Sequence, residues 1–229
     1  MKAVILAGGL GTRMSELTQT IPKPMVQVLK KPIIIYIMEQ YYKYGINEFY
    51  VALGYKGNVI KKFFKRKKYP WKVNLVDTGQ NTMTGGRLKR LQKYLENERF
   101  LLTYGDGISD VNIKKLINFH KKKKGIATVT AVRPPARFGV IEINNGKVKY
   151  FREKSKLDQG WINGGFFVFE PEIFKYIKSD NTFLEKEPME KLSQKRKLVA
   201  YKHNKFWQCI DTKRDRDMLE KIIKIKFKF

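Results

Sequence analysis

Short apolar runs alternate along the chain with stretches in which apolar positions recur at helical spacing. Ala3 to Ala7 contains no polar residue, which predicts a strand buried on both faces. Ile33 to Tyr44 carries helix-spaced apolar residues, opened by Pro32 and closed by Gly45. Phe49–Leu53, Val73–Val76, Phe100–Thr103, Ala127–Val132 and Gly164–Phe169 read as further strands. Val59–Phe64, Arg87–Leu95, Val111–Lys122 and Lys213–Ile223 read as helices. Phe138 to Phe151 alternates around Asn144-Asn145-Gly146, a hairpin signal. This succession predicts an α/β fold with a largely parallel sheet. The last residues, Ile223-Lys224-Ile225-Lys226-Phe227-Lys228-Phe229, alternate strictly, as a strand with one buried face does. They predict a tail docked on its own domain or on a neighbouring subunit. The alternative is that the last helix continues through them.

With 229 residues and a hydrophobic share of 42%, the chain suffices for one substantial core, and residues 1–229 read as a single domain. No Pro-, Gly- or Ser-rich linker divides it, and no internal repeat appears. No apolar run reaches membrane-spanning length, and the first run stops at Gly8, too early for a signal-peptide core. The one cysteine, Cys209, excludes an internal disulfide and fits a reducing cytoplasm. His120 and His203 match no zinc spacing. The net charge is +27; Lys61, Lys62, Lys65, Arg66, Lys67 and Lys68 form one basic cluster and Lys121 to Lys124 another. Such clusters attract polyanions in general. They also suit a solvated lysine-rich surface, and the aromatics lie mainly inside apolar runs rather than along a basic stripe, so no specific nucleic-acid partner is expected.

The candidate chemistry begins where the first strand ends. Gly8, Gly9 and Gly11 are followed by Thr12 and Arg13, and Pro22-Lys23-Pro24 comes shortly after. Glycines let backbone amides approach phosphate oxygens, and an arginine offers those oxygens a cationic fork. A glycine cluster at this place also occurs as a tight turn alone. The P-loop pattern is absent, and the dinucleotide fingerprint fails where Met14 stands in place of glycine. Asp106, in Gly105-Asp106-Gly107, falls like the Gly8 loop at the carboxyl end of an expected strand, where open α/β sheets bind ligands.

Gly8-Gly9-Leu10-Gly11-Thr12-Arg13 followed by Pro22-Lys23-Pro24 resembles the nucleotidyltransferases that make nucleoside-diphosphate sugars. Leu75 to Gly79, Met83 to Arg90, Thr103 to Gly107, Ile162 to Phe167, Phe206-Trp207-Gln208 and Asp211-Thr212 stand in that family's order along nearly the whole chain. The block Met83-Thr84-Gly85-Gly86-Arg87-Leu88-Lys89-Arg90 resembles the glucose-1-phosphate cytidylyltransferase branch in particular.

The resemblance implies a Rossmann-like, mostly parallel but mixed sheet with helices on both faces, of the nucleotide-diphospho-sugar transferase type. It implies CTP and glucose 1-phosphate as substrates, Mg2+ as cofactor and a homo-oligomer as the assembly. By the same resemblance, Arg13, Lys23 and Asp106 are catalytic. Leu6, Ala7, Gly8, Gly9, Gly11, Thr12, Arg13, Lys23, Thr82, Gly85, Arg87 and Gly105 hold the nucleotide, and Arg87 is also free to serve phosphate. Glu153, Lys154, Asn163 and Gly164 meet the sugar phosphate, and Asp106 and Asp211 share the metal. Such a reaction needs no general base, because a phosphate monoester with a second pKa of about 6 is already mostly dianionic at neutral pH. The lack of a histidine constellation accords with it. Rival readings are another base or sugar, such as GTP with a heptose 1-phosphate, and a non-catalytic relative that binds nucleic acid through its lysines. Compared with the family, Ser155 replaces a proline, Ile21 a lysine and Cys209 a proline, and where the family carries a longer excursion before Pro70-Trp71 this chain has only Lys61 to Tyr69.

Overall fold

The first strand, β1 (Ala3–Ala7), is buried along its whole length. Ala3, Ile5 and Ala7 join one apolar cluster and Val4 and Leu6 another, so the strand lies between two cores, one on each face of a sheet. The computed structural model describes residues 1–134, 139–152 and 160–226. After β1 the strands are β2 (Gln27–Val28), β3 (Lys31–Pro32), β4 (Glu48–Leu53), β5 (Lys72–Asp77), β6 (Phe100–Tyr104) and β7 (Gly107–Ser109). They continue as β8 (Ala127–Val132), β9 (Val140–Asn144), β10 (Lys147–Arg152), β11 (Ile162–Phe169), β12 (Leu198–His203) and β13 (Trp207–Cys209). The helices are α1 (Ser15–Thr18), α2 (Ile33–Tyr42), α3 (Gly57–Arg66), α4 (Thr84–Arg90), α5 (Gln92–Leu95), α6 (Ile113–Lys123), α7 (Glu187–Gln194) and α8 (Lys213–Lys226).

The seven-stranded sheet runs β12-β8-β11-β6-β1-β4-β5. All neighbours pair in parallel except β11, which is antiparallel to both β6 and β8. Apolar residues of α2, α3, α6 and α8, among them Ile37, Ile60, Leu116 and Leu219, cover the Ile5 face. Leu88, Leu95 and Leu192, from α4, α5 and α7, cover the Leu6 face. The expected mixed, mostly parallel sheet with helices on both faces is therefore present.

Three two-stranded ladders stand apart from this sheet, the shortest being antiparallel β2–β3. β9 and β10 form the hairpin that the alternating segment predicts, turning at Asn145 and Gly146, both at positive φ. Phe138, in the expected span, lies outside the described residues. β7 and β13 pair antiparallel, with Cys209 opposite Gly107.

The C-terminal expectation is corrected. α8 continues to Lys226, so the alternation from Ile223 to Lys226 is helix rather than strand. Helical geometry separates the two isoleucines: Ile223 is 1% exposed in the core and Ile225 is 78% exposed. Phe227 to Phe229 lie outside the described residues.

Candidate active site

The loop after β1 closes one side of a cavity of about 360 Å3 at the carboxyl end of the sheet. Leu6, Ala7, Gly8, Gly9, Gly11, Thr12, Lys23, Thr82, Arg87, Gly105 and Asp106 line it, together with Pro24, Met83, Thr84, Tyr104 and Phe183. Gly85 does not line it; its amide donates to the Thr182 carbonyl at 2.9 Å. The Arg13 backbone belongs to a short 3-10 helix, Thr12–Met14, and its side chain lies outside what the structure describes.

A second cavity, of about 230 Å3, adjoins the first, and Tyr104 and Asp106 line both. Asn163 and Gly164 line this second space with Asp211, Trp207 and Cys209. Glu153 and Lys154 lie outside the described residues, between β10 and β11.

Lys23, Asp106 and Asp211 meet where the cavities join. Lys23 opens a single 3-10 turn, Lys23–Met25, after Pro22, and the burial of Pro24 and Met25 anchors that turn. Proline fixes the backbone on both sides of it. The β7–β13 ladder brings the two aspartates together although they are far apart in sequence, and the Ile210 amide donates to the Asp106 carbonyl at 3.0 Å. Asp215 secures the far side by accepting the Asp211 and Thr212 amides at 3.1 and 2.9 Å, as a capping carboxylate does at the start of α8. At its other end the ladder is pinned by His203 and the Phe206 amide on Asp110 Oδ1, each at 2.9 Å.

The Lys23 ammonium donates to Asp106 Oδ2 and to Asp211 Oδ1, at 2.7 Å each. Burial alone would lower the lysine pKa, but the Asp106 charge and the bonds to both carboxylates outweigh it, so the net shift is upward. Two carboxylate oxygens converging on one cation are also a fitting donor set for a divalent ion that draws its other ligands from phosphate and water. No group of three or more His, Cys, Asp or Glu side chains that could hold a metal ion occurs among the described residues. Burial, then the Asp211 and Asp106 charges, push the Cys209 thiol up to about 12, which leaves it a poor nucleophile.

Arg87, expected to hold the nucleotide and free to serve phosphate, lines the cavity but spends its guanidinium on the protein. It is 4% exposed, and its guanidinium donates to the carbonyls of Leu53, Gly79, Gly8 and Gln80 and to the Thr78 hydroxyl at 2.6 to 3.1 Å. A Cβ at Gly8 would come within 2.3 Å of this group, so glycine there is required by the close approach of Arg87. Arg87 thus ties the β1 loop to the ends of β4 and β5. The sequence pattern singles out neither Tyr104 nor Glu185, although Tyr104 stands beside the Gly105-Asp106-Gly107 turn. Glu185 lies in a stretch without periodicity, and only its folded position marks it.

The family model described as Nucleotidyl transferase matches residues 2–216. The chain is 47% identical to the glucose-1-phosphate cytidylyltransferase of Salmonella typhimurium, over 96% of its own length and 95% of that protein. It is 42% identical to the probable glucose-1-phosphate cytidylyltransferase of Bacillus subtilis, over 93% and 92%. Among solved structures, HddC from Yersinia pseudotuberculosis, complexed with GMP-PN, superposes with a TM-score of 0.76 at 26% identity, covering 97% of this chain and 99% of that one.

Proposed function

The chain belongs to the nucleotidyl transferase family, and from that premise we propose that it transfers CMP from CTP to α-D-glucose 1-phosphate, giving CDP-glucose and pyrophosphate. The observation that carries the choice of substrates is the 47% identity, over nearly the full length of both chains, to a relative named glucose-1-phosphate cytidylyltransferase. The site supports the same reading. A larger cavity walled by the glycine loop suits a nucleotide, a smaller one suits a sugar phosphate, and the cation-binding groups lie between them.

In this reading a phosphate oxygen of glucose 1-phosphate attacks the α-phosphorus of CTP. A new O–P bond forms, the bond to the bridging oxygen of the β-phosphate breaks, and pyrophosphate leaves with its electron pair. The protein has no proton to remove, so its work is positioning and charge neutralisation. The amides of Gly8, Gly9, Gly11 and Thr12 face the triphosphate, with Leu6, Ala7, Thr82 and Gly105 shaping the nucleotide pocket around it and Gly85 supporting it from outside the lining. Arg13 and Lys23 supply positive charge to the phosphates. Glu153, Lys154, Asn163 and Gly164 hold the sugar phosphate. Asp106 and Asp211 would hold a divalent cation such as Mg2+, which supplies further positive charge to the triphosphate oxygens when bound. Arg87 acts on the nucleotide indirectly, by fixing the Gly8 loop.

Residues 1–229 work as one catalytic domain, supported by the match over 2–216 and by a single central sheet. Homo-oligomer formation is part of the proposal, supported by the exposed apolar pairs Ile141–Phe151 and Ile143–Val148 on the β9–β10 hairpin. No described helix is long and apolar enough to cross a membrane, and the single cysteine supports a cytoplasmic site of action. The test is pyrophosphate release from CTP, GTP, UTP and dTTP, each with glucose 1-phosphate, with and without Mg2+. CTP should give the highest turnover, and only with the metal. Equal or faster turnover with another triphosphate overturns the base assignment.

A further inference from the structure

Tyr104 lines both cavities, and its phenol is held from two directions. The hydroxyl donates to Glu185 Oε1 at 2.6 Å and accepts the Asn163 side-chain amide at 3.1 Å. The second oxygen of Glu185 accepts from the Thr84 hydroxyl at 2.6 Å, and Thr84 in turn accepts the Leu184 amide at 2.9 Å. These side chains form a polar belt from the first residue of α4, beside the larger cavity, to β11, beside the smaller one.

The belt has a direction. A carboxylate only accepts hydrogen bonds, so the Tyr104 proton is committed to Glu185 and the phenol oxygen is left as an acceptor. Asn163 must then turn its nitrogen toward Tyr104, and its amide oxygen is already taken by the Gly165 amide at 2.8 Å. The backbone is shaped for this. β11 bulges between Asn163 and Phe167 against β8, and Gly165 has a φ of +77°, a conformation that strains other residues. A Cβ at Gly165 would also come within 2.5 Å of the Tyr104 ring. Of the two amide hydrogens on Asn163, one is spent on Tyr104 and the second remains for a ligand in the cavity that Asn163 lines.

We propose that Glu185, acting through Tyr104, is a positioning residue that makes Asn163 a hydrogen-bond donor to a hydroxyl oxygen of the bound sugar phosphate. This rests on the reading of the smaller cavity as the sugar-phosphate site. Glu185 itself touches no reacting group, and its effect reaches the substrate through the direction of the bonds it accepts.

The experiment measures steady-state constants for both substrates in the wild type, Glu185→Ala, Glu185→Gln, Tyr104→Phe and the double variant Glu185→Ala/Tyr104→Phe. Loss of one oriented hydrogen bond should raise KM for glucose 1-phosphate by about tenfold in Glu185→Ala, while KM for CTP stays within about twofold. Glu185→Gln should retain near wild-type constants, because its amide oxygen still accepts the Tyr104 proton. In the Tyr104→Phe background, Glu185→Ala should add nothing, since the two residues act in series. An unchanged sugar KM in Glu185→Ala, an equal rise for CTP, or independent effects in the double variant would overturn the proposal. The wild-type arm reports separately on the reading it rests on. If glucose 1-phosphate is not turned over, the same comparison is made with the sugar 1-phosphate that is, and the ratios between variants still decide.

Discussion

Replacing Arg87 by alanine should unfold the protein more readily and weaken nucleotide binding through the same cause. The guanidinium is 4% exposed and serves four carbonyls and one hydroxyl, drawn from the ends of β4 and β5 and from the Gly8 loop. Each buried acceptor stripped of its partner costs about 1–3 kcal/mol. These costs do not add fully, because water enters the space and the loop relaxes. Hydrogen bonds to a charged group contribute about 1.5–3 kcal/mol each, so a net loss of about 3–5 kcal/mol, well short of the full sum, is expected. In a domain of this size about 1 kcal/mol moves the midpoint of thermal unfolding by about 2–4 °C, so a fall of roughly 6–20 °C is expected. Differential scanning calorimetry without ligand reads that fall, and titration calorimetry with CTP reads the accompanying loss of affinity. Arg87→Lys should rescue little, because one ammonium cannot replace a planar fork that reaches five acceptors. A ligand-free midpoint within about 2 °C of wild type, together with weakened CTP binding, would refute the clamp and restore Arg87 to the phosphate.

Asp106→Asn and Asp211→Asn should each remove several kcal/mol of charge stabilisation, roughly a thousandfold in turnover, and weaken divalent-ion binding. Near wild-type rates at limiting Mg2+ would exclude either residue as a ligand. His120 is 1% exposed, and burial holds its pKa below the usual value despite the opposing pull of Glu170. The unfolded chain therefore binds the proton more readily, and stability should fall as pH drops below about 6.5, the ordinary histidine range. Thermal midpoints from pH 8 to 5 should show this fall diminished in His120→Gln, and identical slopes would exclude His120 as its source. Ile223→Ala should cost about 2–4 kcal/mol in urea unfolding while Ile225→Ala stays within about 0.5 kcal/mol. Similar losses at both positions would instead match a strand-like tail.

Much of the fold was legible because local pattern and burial agree. An apolar run such as Ala3 to Ala7 has nowhere to go but between two layers, and the core on either face of β1 confirms it. The hairpin at Asn145-Gly146 was equally readable, since both residues accept the positive φ that a tight turn demands. The tail misled because a short alternation can end a helix as well as form a strand. The burial of Ile223 against the Ile5 face, with Leu219 one turn earlier, held α8 in register through Lys226.

The sequence by itself determined the two-faced strands, the glycine loop and the candidate cations and carboxylates, because each rests on residue type and near neighbours. The tertiary structure alone decided which of these groups meet. Asp106 and Asp211 become neighbours through the β7–β13 ladder, and Lys23 reaches both from a turn that holds Pro24 and follows Pro22. Arg87 became a clamp rather than a free cation because three separate chain segments present their carbonyls to it. Glu185 entered the site through contacts with Thr84 and Tyr104 that no local pattern encodes. Hydrophobic periodicity is a property of neighbouring residues, whereas a hydrogen bond between distant side chains depends on where packing leaves them, and that is fixed only when the whole chain has folded.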